Sequence, residues 1–319
     1  MSKVLFSEYL SLPVIAAPLF IISNPLMVIE QCKAGIIGSF PSLNARSEII
    51  LNDWLVNIKY NLAAYNAVNP NRPAAPFAVN LIAHHSNKRL ETDLALCVEH
   101  KVPLIITSLG ARTEVNDAIH SYGGKVFHDV IHVEHAKKAL TKGSDGLIAV
   151  AAGAGGHAGL LSPFALVQEI RQFFQGPLAL SGSIANGSAI LASTIIGADY
   201  AYIGSAFIAT TEANASEAYK QMIVDSVAGD IVYSNLFTGV YGNYLKKSIV
   251  NAGINPDNLP ENSLNDIELL NSSKVWKDIW GAGHGVGAIN KIQTISNFIQ
   301  QLKKEYLLVK DSIILKYEH

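Results

Sequence analysis

Along the first two thirds of the chain, short apolar runs bounded by Gly, Pro or Asn alternate with longer segments whose apolar residues recur at helical spacing. The short runs predict eight strands, at Val14–Ala17, Gly35–Phe40, Pro76–Ile82, Leu104–Leu109, Lys125–Val130, Gly146–Ala152, Leu178–Ile184 and Tyr200–Ile208. The longer segments predict helices at Pro25–Lys33, Ser47–Ala64, Lys88–His100, Thr113–Ser121, Val133–Thr141, Pro163–Phe174 and Gly187–Ile196. Pro25 and Pro163 open two of these, in a first turn where the missing N–H is harmless. Several strands are apolar at consecutive positions, as in Leu147-Ile-Ala-Val150, which is how a strand buried on both faces reads. Parallel strands covered by helices follow. Eight β/α units predict an α/β fold, a (β/α)8 TIM barrel, although a doubly wound open sheet shares the alternation and stays open on pattern alone.

The alternation stops near Ser226. Residues 227–285 are richer in Asn, Asp, Tyr and Gly, as in Tyr241-Gly-Asn-Tyr244 and Asn255-Pro-Asp-Asn-Leu-Pro260, and carry no second apolar core of their own. They predict a lid-like excursion. The chain then returns through Trp280-Gly-Ala-Gly-His-Gly-Val-Gly287 to an amphipathic helix near Ile292–Tyr306 that packs on the barrel exterior. The domain reading is one barrel, residues 1–226 with a returning helix in 286–312, bearing a C-terminal lid-like insertion at 227–285.

Composition sharpens the picture. With 49% apolar and 16% charged residues, the 319-residue chain fits one large core and no disordered segment. A net charge of −2 supplies no basic stripe for a phosphate backbone, so the expected partner is a small molecule and not nucleic acid. Cys32 and Cys97 match no metal-ligand spacing and fit a reducing cytoplasm. No secretory pattern opens the sequence and no run of about 18 apolar residues occurs, so a cytoplasmic protein without membrane association is expected. Homo-oligomerisation is left open.

In a barrel, functional groups collect at the C-terminal ends of strands, and the unusual residues of this chain fall there. They are Pro18 after strand one, Asn80 in strand three, Ser108 after four, His128 and Asp129 after five, Ser181-Gly-Ser183 after seven and Gly204-Ser205 in eight. After strand six comes Gly153-Ala-Gly-Gly-His-Ala-Gly159, a loop in which main-chain N–H groups can approach a ligand closely. His157 is the one side chain of that loop able to move a proton near neutral pH. The small-residue ends of strands seven and eight, each leading toward a helix, form a paired anion-site candidate.

Competing readings are weaker. Gly153–Ala158 fits a relaxed dinucleotide fingerprint, but no acidic residue lies in strand 178–184 to hold a ribose. His128-Asp-Val-Ile-His-Val-Glu-His135 runs from a strand end into a helix start, so no single face presents three metal ligands, and no metal is expected. His84-His85 reads as a solvated pair, and Tyr241, Tyr244 and Trp280 as lid aromatics. No G-x-S-x-G elbow recommends a hydrolase.

On these residues the chain resembles the nitronate monooxygenase family of FMN-dependent TIM barrels. The resemblance covers most of residues 10–210 and the Gly281–Gly287 return. Its most specific element is Ala154-Gly-Gly-His-Ala-Gly159, similar to the family's Ala-Gly-Gly-His-x-Gly, which implies His157 as catalytic base and Gly155, Gly156 and Gly159 beside the cofactor. Ser181-Gly-Ser-Ile-Ala-Asn-Gly187 resembles its phosphate loop, and Gly197-Ala-Asp199 with Gly204-Ser-Ala-Phe207 its following unit. These imply phosphate contacts at Ser181, Gly182, Ser183, Gly204 and Ser205. Ala17-Pro18-Leu19 falls where the family has Ala-Pro-Met beside the ring, Asn80 where its Asn contacts the flavin, and Ser108 and Gly283 join the same site. The departures are Leu19 for Met, Ser183 for Gly, Val150 and Gly153 where many members carry Gln and Glu, and His284 for Gln. The resemblance implies oxidation of alkyl nitronates or nitroalkanes with O2. The alternatives are an FMN-dependent enoyl-acyl carrier protein reductase, a quinone reductase-like enzyme using NAD(P)H, and a flavin-binding barrel without turnover.

Overall fold

The computed structural model of the protein describes residues 4–259 and 278–317. Its first nine strands are β1 (Val14–Ala16), β2 (Gly38–Pro41), β3 (Phe77–Ile82), β4 (Leu104–Ser108), β5 (Lys125–Val130), β6 (Gly146–Val150), β7 (Gly156–His157), β8 (Leu178–Ser181) and β9 (Tyr200–Ile203). All but β7 form one parallel sheet in the order β1-β9-β8-β6-β5-β4-β3-β2. Its two ends meet: Ala16 N donates to Ile37 O at 2.8 Å and Ile37 N to Val14 O at 3.1 Å, bridging Ile15 to Ile37 in parallel. The sheet is therefore a closed (β/α)8 barrel and not an open doubly wound sheet.

Helices α1 (Pro25–Lys33), α2 (Glu48–Val68), α3 (Leu90–Glu99), α4 (Thr113–His120), α5 (Val133–Thr141), α6 (Pro163–Arg171) and α7 (Gly187–Ile195) make the crossovers. Side-chain caps fix several starts: Asn24 accepts from Met27 N, Ser47 from Ile50 N, His132 from His135 N and Asn186 from Ala189 N. Arg171 ties the far end of α6 to the sheet, bonding Gly197 O, Gly176 O and Asp199 Oδ2 at 2.7–2.8 Å. The last strand is shorter than the expected Tyr200–Ile208. It ends at Ile203, and Ser205–Ile208 is a short helix, α8, because the chain turns at Gly204 out of the barrel.

Alternation along each strand sends Ile15, Ile37, Ala78, Ile106, Phe127, Ile148, Ala179 and Tyr200 into one interior cluster. Gly146 leaves room there for Phe127, whose ring lies 2.5 Å from where a Cβ would be. The N-terminal segment closes the bottom: Val4, Leu5, Phe6 and Leu10 pack on the cluster, and Tyr200 OH donates to Leu5 O at 2.6 Å. Two residues further along the strands, the inward positions are Ala17, Asn80, Ser108, Asp129, Val150, Ser181 and Tyr202. The barrel is thus dry below and polar at its upper mouth.

Beyond the barrel come α9 (Glu217–Val224), β10 (Ile231–Ser234), β11 (Gly242–Leu245), α10 (Lys246–Asn251) and α11 (Ile295–Tyr317). β10 and β11 form an antiparallel hairpin, and β11 pairs in turn with β7, Gly242 opposite His157. The 227–285 segment was expected to lack an apolar core, yet Leu236, Phe237, Tyr244, Ile249 and Ile279 form a small buried cluster within it. Its stretch 260–277 lies outside the described residues. α11 packs across α7, and Gly187 permits this: an added Cβ would meet Tyr306 N at 2.2 Å and Leu302 O at 2.4 Å. Among the described residues, no helix is long and apolar enough to cross a membrane.

Candidate active site

A cleft of about 1090 Å³ opens at the C-terminal ends of the barrel strands. It is lined by Ala17, Pro18, Leu19, Asn80, Ser108, Gly155, Gly156, His157, Ser181, Gly182, Ser183, Gly204, Ser205 and Gly283, residues that arrive from six strand ends and the returning segment. Gly159 is not among the lining residues. It lies beside the cleft, where an added Cβ would meet Val150 O at 2.8 Å and Ile131 Cβ at 3.1 Å, so its place is one of close packing.

The β6–α6 loop is interlocked with the returning segment through backbone. His284 N and Ser183 N both donate to Gly153 O, at 3.0 and 3.2 Å. Gly283 N donates to Ser205 Oγ at 2.8 Å, and Asn243 Nδ2 to Ala154 O at 2.6 Å. An added Cβ at Gly283 would lie 2.3 Å from Gly153 O, and one at Gly155 2.8 Å from Gly283 N. Gly182, at φ +137°, has Ala152 O 2.7 Å from its Cβ position. Two of the departures from the family pattern are complementary: Ser183 sits at φ +56°, and its Oγ lies 2.1 Å from where a Cβ on Gly153 would be. A side chain at 153 and a hydroxyl at 183 compete for one space.

The helix terminus behind this loop is already occupied. Gly187 N, the first N–H of α7, donates to Glu305 Oε2 at 2.8 Å, so the cleft-facing part of the anion-site candidate is the Gly182–Ala185 turn and not the α7 terminus.

His157 stands on the strap formed by β7. Its Nε2 is 3.0 Å from Thr238 Oγ1, and Thr238 Oγ1 itself donates to Val240 O at 3.0 Å. The Thr238 hydroxyl thereby anchors the imidazole through Nε2 and fixes the orientation of the ring. Burial lowers the His157 pKa below the usual histidine value, so the ring is neutral near pH 7. Thr238 and Asn243 carry no sequence signal, because their roles depend on pairing of β10, β11 and β7 across long loops.

On the floor, Asn80 Nδ2 donates to Ile106 O at 3.0 Å and Ser108 Oγ at 2.8 Å, and Ser108 Oγ donates to Asp129 Oδ2 at 2.5 Å. Burial pushes the Asp129 carboxyl up to about 6, against the opposing pull of the Ser108 bond. His128 also lines the cleft; its Nδ1 is 2.7 Å from Thr107 Oγ1, and burial with His135 nearby pushes it down to about 4. The His128–His135 run is thereby divided among a strand, a helix cap at His132 and the α5 surface. His84 and His85 lie side by side at the surface, ring centres 4.0 Å apart and ring planes tilted by 44°. Of the lid aromatics, Tyr241 and Trp280 line the cleft, stacked on Tyr233 and Tyr219, whereas Tyr244 is buried in the small cluster.

A closed parallel barrel with a backbone-lined cleft and a half-buried neutral imidazole at its C-terminal rim defines a TIM-barrel enzyme site. The chain belongs to the nitronate monooxygenase family, whose pattern matches residues 54–305, and is an oxidoreductase of that family. It is 23% identical over 338 residues to the nitronate monooxygenase of Paraburkholderia phytofirmans, covering 92% of each chain. With a probable nitronate monooxygenase of Staphylococcus saprophyticus it shares 25% identity over 260 residues, 71% of this chain and 73% of that one. Among solved structures, FabK from Thermotoga maritima superposes with a TM-score of 0.81 at 22% identity, covering 96% of each chain. A nitroalkane oxidase from Streptomyces ansochromogenes gives 0.80 at 19% identity, covering 96% of this chain and 98% of that one. At these identities the structural likeness speaks for the fold.

Proposed function

We propose that the protein is a cytoplasmic, FMN-dependent nitronate monooxygenase that oxidises alkyl nitronates or nitroalkanes with O2. The observation that carries this reading is His157: a half-buried, neutral imidazole lining the cleft, held by Thr238. The cleft suits a flavin mononucleotide because its wall at Gly153, Gly155, Gly182 and Gly283 is bare backbone with no room for side chains. Gly182, Ser183, Gly204 and Ser205 would hold the phosphate, and Ala17, Pro18, Leu19, Asn80 and Ser108 would border the ring. FMN, when bound, supplies electron acceptance from the substrate and reaction with O2.

The chain's own part is placement and proton handling. His157 takes the α-proton of a neutral nitroalkane, and Thr238 holds the ring at Nε2 while it gains charge. Tyr241 and Trp280, with their stacked partners Tyr233 and Tyr219, wall the substrate from water.

The test is anaerobic mixing of the FMN-loaded protein with a nitronate and, separately, with NADH. Flavin bleaching by nitronate without NADH, followed by O2 uptake in air, is the expected result. Fast bleaching by NADH with none by nitronate would replace the reading with an enoyl-acyl carrier protein or quinone reductase. Bleaching by neither would leave a flavin-binding barrel without this turnover.

A further inference from the structure

Asp129 is a half-buried acid on the cleft floor with no part in proton abstraction by His157. Strand alternation places it inward on β5 one layer above Phe127, so one edge borders the cleft while Oδ1 is cut off from solvent and, among the described residues, has no hydrogen-bond partner. The polar chain leading to it runs one way. Asn80 directs both amide protons to Ile106 O and Ser108 Oγ, and Ser108 passes its own proton to Asp129 Oδ2. The Asn80–Ser108 branch of this chain therefore ends on one carboxylate, above an apolar barrel interior that screens charge poorly.

Resting on the flavin reading above, we infer that Asp129 is an electrostatic tuning residue for the bound cofactor, lowering its reduction potential. Two-electron reduction by the substrate adds electron density to the flavin ring. A carboxylate in the floor of the same cleft disfavours that gain and favours onward transfer to O2. With the Asp129 carboxyl at about 6, the effect is present above that pH and fades below it.

The groups facing Asp129 from neighbouring elements are Ser108 on β4, uncharged Val150 on β6 and Tyr202 on β9, whose hydroxyl burial keeps protonated. His128, which also lines the cleft, is pushed down to about 4, is neutral above pH 5 and has its Nδ1 at Thr107. Further out, the cleft is lined by His157 on β7 and by His135 and Lys138 on α5; burial lowers the pKa of both histidines.

Spectroelectrochemical titration of the FMN-loaded protein from pH 5 to 8 tests this, with Asp129→Asn, Ser108→Ala and, to isolate the other base, His157→Asn. Above pH 7, Asp129→Asn is expected to bind reduced over oxidised FMN about tenfold better than wild type. That is the scale of one unit charge about 10 Å away at an effective dielectric of about 20, and reads as roughly +30 mV. The two curves converge near pH 5, and His157→Asn preserves the difference. Ser108→Ala keeps the carboxyl but loses its donor, so the convergence moves to higher pH. An Asp129→Asn potential equal to wild type, or offset by the same amount at every pH, overturns the inference while leaving the flavin reading intact. If Asp129→Asn fails to hold FMN, the Ser108→Ala curve decides, and an unmoved convergence overturns it. A wild-type chain that binds no flavin overturns both.

Discussion

Gly283→Ala is the sharpest perturbation of the interlock between the β6–α6 loop and the returning segment. Its Cβ would sit 2.3 Å from Gly153 O, 2.8 Å from Gly155 N and 3.1 Å from Ala154 C, all backbone atoms without rotamers to relieve the contact. Ordinary contact begins near 3.4 Å, so the two segments must part by roughly 1 Å, which overpacked interiors resist at about 1–3 kcal/mol. That movement stretches His284 N to Gly153 O and Gly283 N to Ser205 Oγ, now 3.0 and 2.8 Å, each worth about 1 kcal/mol net. A loss of about 3 kcal/mol corresponds to roughly 5–10 °C in Tm for a large domain. Gly287→Ala is the control, since its Cβ would find nothing nearer than 3.8 Å. Differential scanning calorimetry of both, with FMN retention after gel filtration, reads the result. Equal Tm for the two variants, with FMN retained by both, refutes the interlock.

Three further outcomes are expected. His157→Asn keeps FMN but lowers turnover of neutral nitroalkane by about 10²–10⁴-fold, and preformed nitronate far less; equal losses on both substrates would make His157 an orienting group. Because burial lowers its pKa, the acid limb of kcat/KM for neutral nitroalkane lies below pH 6.5, and a limb above that value would contradict the assignment. Gly153→Ala and Ser183→Gly are expected to be non-additive in urea unfolding, the double variant being more stable than the sum of the singles because Ser183 Oγ occupies the space a 153 side chain needs; additivity would refute that coupling. Asp145→Asn tests linkage at the base of the barrel. Burial raises the Asp145 pKa, but bonds from His120, Val126 N and Lys125 outweigh it and hold the carboxyl below its usual value. A depressed carboxylate contributes stability above its unfolded value of about 3.9 and loses it as pH falls through the folded one. The variant is therefore less stable than wild type at pH 7, and the gap closes below about pH 4; a gap independent of pH would refute the assignment.

What the sequence discloses and what it withholds divide along a physical line. Each barrel strand and crossover helix is set by a period within its own ten residues, so α1 and α5 fall at their expected bounds and the strands within a few residues. β7 has two residues and exists only because β11 returns to pair with it, and no local pattern encodes a partner so far along the chain. The same holds inside the cleft. Asn80, Ser108 and the β6–α6 glycines stand out singly at strand ends, but their linkage through Asp129 depends on neighbouring strands β3, β4 and β5 presenting inward positions at one height. Gly283 is a case where residue type was informative and its reason was not. It borders the cleft, yet what requires glycine there is the Gly153 carbonyl 2.3 Å from its Cβ position, a packing demand that exists only once the chain has returned. Ser183 makes the converse point. A non-glycine at φ +56° is a local cost, and its hydroxyl fills the space left by the missing side chain at 153, so two changes that look independent in the sequence are one change in the folded loop.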